Sequence, residues 1–116
     1  MALTKFLGAL IELGVGTVVL TDGANGAFIA HGHDLYYREA QHVAAAATTG
    51  AGDAFSTTFA CYFAETGDAG RSLGAATINA ASVVQFIDTQ SGLLRKAELE
   101  RQLDRDVEAP LFSWSI

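Results

Sequence analysis

Leu3-Thr-Lys-Phe-Leu-Gly-Ala-Leu-Ile-Glu-Leu-Gly-Val-Gly-Thr-Val-Val-Leu-Thr21 joins the two patterns that decide the architecture. Leu3, Phe6, Leu7, Leu10 and Ile11 recur at the spacing of one helix face, and Gly14 and Gly16 then break the period. Residues 3–13 are therefore expected to form an amphipathic helix whose apolar stripe needs a partner. Thr17-Val-Val-Leu-Thr21 is a short β-branched apolar run, the kind buried on both faces of a parallel sheet. A helix, a tight glycine turn and a strand are the grammar of an α/β fold.

Working outward, Asn25-Gly26 is the strongest two-residue hairpin signal available, because both residue types tolerate positive φ. It is expected to join the first strand to Ala27-Phe-Ile-Ala30, and His31-Gly-His-Asp34 to turn the chain again before Leu35-Tyr-Tyr-Arg38. These runs predict a small antiparallel extension of the sheet. Beyond Gly50-Ala-Gly-Asp53, the residues Phe55, Phe59, Tyr62 and Phe63 share one helical face until Gly67. Leu73, Ala76, Thr77, Ala80, Val83, Val84 and Ile87 mark a helix apolar enough to be largely buried. Arg95 to Arg105, with Leu99 and Leu103 one turn apart among charges, reads as a surface helix. The tail holds Pro110, Phe112 and Trp114, whose rings are expected to pack against the rest of the chain.

A chain of 116 residues, 50% hydrophobic and 17% charged, suits one globular domain over 1–116 and not two. Seven Lys and Arg against thirteen Asp and Glu give a net charge of -6, which repels phosphate polymers and removes a nucleic-acid footprint. The longest uncharged run, Leu73 to Ile87, is shorter than the roughly 20 residues that span a bilayer, so no membrane segment is expected. Glu12 follows the apolar start closely and no small-residue cleavage site comes after it, so no targeting signal is read. Cys61 is the only cysteine, which excludes an intrachain disulfide and leaves a cytoplasmic location as the default; on the aromatic helix it reads as a small buried apolar residue.

Thr48-Thr-Gly-Ala-Gly-Asp53 opening an apolar helix is the sharpest chemical feature. Glycines there let first-turn N–H groups approach a ligand, and the helix dipole adds partial positive charge, which together make an anion site. Asp53 would stand ready to accept a hydrogen bond from an incoming hydroxyl while the amides of Ala51, Gly52 and Asp53 meet a transferring phosphoryl group. The same residues also suit a plain helix start, with Asp53 an ordinary first-turn acid and the glycines turning the chain. His31, His33, Asp34 and His42 could be drawn as a metal site, but a His-Gly-His-Asp turn is more simply a solvated loop, and no metal is expected. No Gly-Lys-Ser/Thr ending makes a P-loop, and Gly50 to Phe55 lacks the third glycine of a dinucleotide fingerprint.

Thr48-Thr-Gly-Ala-Gly-Asp-Ala-Phe55 resembles the C-terminal signature of the ribokinase family, the PfkB-type carbohydrate kinases. Val18-Val-Leu-Thr-Asp-Gly23 resembles that family's upstream strand and turn, and Thr77-Ile-Asn-Ala-Ala-Ser82 its downstream helix. The resemblance implies an α/β fold, a ribokinase-like three-layer α/β/α fragment carrying the small antiparallel extension. It implies transfer of the γ-phosphoryl of ATP, with Mg2+, to a hydroxyl of a sugar or nucleoside-like substrate. Residue by residue, it implies Asp53 as catalytic base, Gly50, Ala51 and Gly52 as the anion hole, Thr21 and Gly23 near the nucleotide phosphates, and Asn79 beside the adenine; for Asn79, a buried amide bonded to neighbouring backbone is the equal alternative.

Ala47 stands where the family commonly has an aspartate linked to a monovalent-cation site, so cation activation is not expected. Thr57 and Thr58 replace small residues one turn past Asp53, where branched side chains crowd a backbone approach. Family members are far longer, so the chain is expected to be the C-terminal portion of such a kinase. Two other readings belong to it: a non-catalytic piece that dimerises or docks on a missing N-terminal half through an open sheet edge, and a nucleotide- or phosphate-binding module without transfer.

Overall fold

A computed structural model describes residues 3–41, 43, 50–86, 88, 91–105 and 111–115. The elements run α1 (Leu3–Glu12), β1 (Thr17–Thr21), a 3-10 turn (Gly23–Asn25), β2 (Ala27–His31), β3 (Asp34–Arg38), α2 (Ala51–Thr66), α3 (Ala69–Val83), α4 (Lys96–Arg105) and β4 (Leu111–Ser115). The strands form one sheet in the order β1-β2-β3-β4, every described pair antiparallel.

Alternation along β2 builds the layers, since successive side chains point to opposite faces. Ala27 and Ile29 pack against Phe55 and Phe59 of α2 and Leu73 and Ala76 of α3, with Val19 and Tyr36 alongside. Phe28 and Ala30 face the other way, where Leu3, Leu7 and Ile11 of α1 meet Val18 and Leu35. The stack is therefore helix, sheet, helices, the three-layer α/β/α arrangement. Helix α4 lies outside it, with Leu99 and Leu103 set on Tyr62, Ala75 and Ile78. Helix α3 is buried along most of its length, because the sheet and α4 claim opposite sides of it. Midway along it, a Cβ at Gly74 would come within 2.8 Å of both the Arg38 guanidinium and Leu103, so the glycine makes room for a buried cation. Asp68 caps α3, its Oδ1 accepting from the Arg71 N–H at 3.0 Å.

Three expectations change. Strand β1 is not buried on both faces within a parallel sheet; among the described residues it is an edge strand, half-buried and paired only with β2. Its apolar residues are divided between two layers, Val18 under α1 and Val19 under α2 and α3, with a strand neighbour on one side only. Asn25-Gly26 is not a two-residue hairpin turn. The pairing of Thr21 with Ala27 leaves Asp22 to Gly26 in the loop, and among the described residues only glycines have positive φ. A type I′ turn needs positive φ at both central positions, which Asn25 does not supply. The two-residue turn is instead Gly32-His33, with Gly32 at φ 60° and His31 opposite Asp34. The tail, whose sequence gave no strand pattern, adds β4 to β3, with Phe112 near Tyr37. Among the described residues no helix is long and apolar enough to cross a membrane.

Gly26 has φ 101° and ψ −156°, backbone open in practice only to glycine, and a Cβ there would strike the Arg38 carbonyl oxygen. Gly32, although at positive φ, has open space around it. Gly26→Ala is expected to lower unfolding free energy by about 3 kcal/mol and Gly32→Ala by about 1 kcal/mol, read from urea midpoints. Equal losses would contradict the close packing of this loop on β3.

Candidate active site

The site forms where α2 begins. Gly50 is in the left-handed region (φ 87°, ψ −8°), and the first intrahelical bond runs from the Ala54 N–H to the Gly50 carbonyl at 2.9 Å. The N–H groups of Ala51, Gly52 and Asp53 precede that bond and have no acceptor within the helix. Gly50 brings no side chain to cap them. They form a cradle of aligned donors at the positive end of a helix dipole, in a chain of net charge -6.

Two cavities meet this first turn. One, of about 390 Å³, is lined by Thr21 and Gly23 from the end of β1 and the loop after it, by Ala51 and Gly52, and by Phe55 of α2. Thr77, Ala80, Ala81 and Val84 of α3 form its opposite wall. The other, of about 510 Å³, is lined by Asp53, Thr57, Thr58 and Cys61 of α2, by Asn79, and by Leu94 and Lys96 at the start of α4. The start of α2 is thus a partition with Ala51 and Gly52 on one side and Asp53 on the other.

The structure brings Thr21, Gly23, Ala51 and Gly52 to one cavity and Gly50, Asp53 and Asn79 to the other. Asp53 is exposed. Asn79 is buried, and its amide is used on both sides: Nδ2 donates to Thr58 Oγ1 at 2.9 Å, and Oδ1 accepts from the Leu94 N–H at 3.0 Å. It ties α2, α3 and the segment before α4 together, the arrangement of a buried amide satisfied by its neighbours. The branched Thr58 supplies the hydroxyl that accepts this bond. Thr48, Thr49, Ala47 and His42 lie outside the described residues.

The stripe Thr77, Ala80, Ala81 and Val84 went unread as a cavity wall. Its three- and four-residue spacing was the available signal, and Asn79 lies off that stripe. Cys61 is exposed and not buried. Buried Phe59 and Tyr62 set the inner face of α2, and position 61 falls between them on the outward side. Among the described residues no three His, Cys, Asp or Glu converge as metal ligands. The His31 ring meets the Gly16 carbonyl through Nδ1 at 3.1 Å and stands edge-on to Phe63.

Tyr62 also lines the second cavity; it is buried, and its hydroxyl has no hydrogen-bond partner among the described residues. Burial first, then Glu100, pushes its acidity constant up from the ordinary 10.0. At the rim Lys96 Nζ donates to Glu65 at 2.7 Å, and that hydrogen bond raises the Lys96 value; both side chains are exposed, so the pair adds little stability.

Two outcomes follow for stability. Asn79→Ala leaves the Leu94 N–H and Thr58 hydroxyl without their buried partner and is expected to cost about 2–3 kcal/mol in chemical denaturation. Tyr62→Phe removes a hydroxyl that nothing satisfies, so stability at neutral pH should hold or rise. Because the unfolded chain gives up the Tyr62 proton before the folded one, wild-type stability falls as pH climbs through the unfolded value of 10.0, and Tyr62→Phe should flatten that fall in a pH series of melts. A large neutral-pH loss in Tyr62→Phe would mean that the hydroxyl has a partner.

Residues 2–96 match the pfkB family of carbohydrate kinases. No curated protein matches. Among solved structures, the chain is 27% identical to ribokinase from Thermotoga maritima, with a TM-score of 0.77, covering 90% of this chain and 35% of that one. A protein described as ribokinase II from E. coli is 26% identical, with a TM-score of 0.81, over 90% of this chain and 34% of that one. Arabidopsis thaliana ribokinase, solved with ribose and ATP, shares the fold at 22% identity and a TM-score of 0.77, over 86% of this chain and 33% of that one. The chain thus spans about a third of the length of these structures. With a match across most of its length and a ribokinase-like fold, the chain belongs to the pfkB family of carbohydrate kinases.

Proposed function

We propose that this segment supplies the phosphoryl-transfer centre of an ATP-dependent kinase acting on a hydroxyl of a sugar or nucleoside-like substrate. The partition at the start of α2 carries this reading, with amide donors and the Thr21–Gly23 loop around one cavity and a carboxylate on the other side. The nucleotide enters the first cavity, its base against the apolar wall of α3 and its phosphates at Thr21, Gly23 and the anion hole, where Ala51 and Gly52 line that cavity and Gly50, on the Asp53 side, turns the chain into it. The acceptor hydroxyl comes from the Asp53 side. Asp53 accepts its proton as the oxygen attacks the γ-phosphorus, and the bond to the bridging oxygen of ADP breaks. The backbone donors stay fixed while negative charge grows on the equatorial oxygens, which is what a loose transition state asks of its site.

Asn79 acts from behind this centre, through Thr58 and Leu94, instead of touching the base directly. Mg2+ would shield the phosphates when bound. The E. coli ribokinase II solved with ATP and Mg2+ has the same fold over this region, which supports the pairing of nucleotide and divalent cation. Substrate contacts beyond Asp53 belong to other parts of such a kinase, and ATP supply fits a cytoplasmic location.

Asp53→Asn keeps the shape and leaves the backbone donors in place. In steady-state assays of the chain, alone and supplemented with the segment that family members carry before it, kcat should fall by about 10² to 10⁴ with ATP KM nearly unchanged. Retention of more than about a tenth of the rate would return Asp53 to an ordinary helix-start acid and take the role of base away from it.

A further inference from the structure

Strand β4 lies beyond residue 96, where the family match ends, and adds an edge that the match does not contain. The Gly32-His33 turn makes His31 and Asp34 the hydrogen-bonded closing pair, so bonded and non-bonded pairs alternate outward from it. Asp34, Tyr36 and Arg38 direct their N–H and C=O groups to β2, and Leu35 and Tyr37 direct theirs to Trp114 and Phe112. That leaves the main-chain groups of Leu111, Ser113 and Ser115 along the open edge.

The strand's own sequence carries none of the usual protections against pairing. Leu111-Phe-Ser-Trp-Ser115 carries no charge and no proline, in a chain of net charge -6. Leu111, Phe112 and Trp114 are all exposed, at 43–48%. On the face shared with α1, the rings of Phe28, Tyr37, Phe112 and Trp114 form a row with neighbouring centroids 4.7, 6.1 and 6.3 Å apart, ending at the edge. Main-chain donors and acceptors without a partner strand among the described residues suit another strand as occupant.

We propose that two copies of the chain pair through β4, antiparallel about a two-fold axis at Ser113. In that register Ser113 faces its own equivalent and Leu111 faces Ser115 of the second copy, each pair exchanging main-chain bonds. Phe112 then stands opposite Trp114 of the second copy, so the aromatic row runs on across the junction. No like charges meet within the paired strands, and the strand is its own complement. Cross-strand aromatic pairs of this kind are among the more favourable in antiparallel sheets.

Sedimentation velocity over a dilution series should show a species near twice the 12.2 kDa chain mass, and Ser113→Pro, which removes the central N–H, should return it to one chain mass. A second measurement does not depend on the proline variant folding. In a Cys61→Ser background, Ser113→Cys should form a disulfide-linked dimer under mild oxidation, because directly opposite Cα atoms lie about 5.5 Å apart in a bonded pair. Val19→Cys, in the middle of the β1 edge, should not. A single-chain mass at every concentration, a dimer indifferent to Ser113→Pro in a folded variant, or cross-linking through Val19 and not Ser113 would overturn the proposal.

Discussion

Burial of both faces of β2 is the constraint on which the molecule depends. Ile29 and Ala30 are adjacent, point to opposite sides and are both fully buried, one beneath α2 and α3 and the other beneath α1. Because side chains alternate strictly, a slip of one residue would carry each set to the wrong layer, so the register is strongly specified. The site inherits that precision. With Ala27 opposite Thr21 and Arg38, Gly26 sits against the Arg38 backbone, and the loop bearing Gly23 is held beside the first turn of α2.

On the proposed reading, an acidic chain would meet a polyanionic nucleotide by local means. Six more acids than bases set a repulsive background, and near the partition the attractive elements are backbone amides, small residues and a helix dipole. Such a site would depend on how closely the backbone can approach, which suits the proposed members Gly23, Gly50, Ala51 and Gly52 better than a cluster of lysines would. Behind it, Asn79 holds α2 by Thr58 and the start of α4 by Leu94, so the first two turns of α2 are braced against two other elements.

Much of this was legible because short-range rules act alone in those places. The stripe of Leu3, Leu7 and Ile11 and the run Thr17–Thr21 mark their elements almost to the residue, and α2 ends at Gly67, where its apolar pattern stops. The family signature drew attention to Asp53 and the glycines before it. Reading failed where tertiary pairing overrode local signal. Asn25-Gly26 became part of a longer loop since Tyr37 and Arg38 hold it from β3, the Tyr37 hydroxyl donating to the Asn25 carbonyl at 2.6 Å. Strand β4 has no alternating pattern against a core; its side chains stay exposed and its order comes from the β3 ladder. Cys61 was assigned by residue type where helical phase decides. Asn79 was seen as important, yet its partners Thr58 and Leu94 lie 21 and 15 residues away, beyond what spacing alone reveals.

The central claim is that nucleotide phosphates sit at the start of α2 beside the β1 loop. Titrating the chain with ATP while following backbone amide chemical shifts tests it most directly. The expected result is a saturable, weak response concentrated at Thr21, Gly23 and the amides of Ala51, Gly52 and Asp53, with a smaller one at Thr77 and Ala80 along the cavity wall. Shifts confined to the Gly32-His33 turn, or spread along α4 with the first turn of α2 silent, would contradict it.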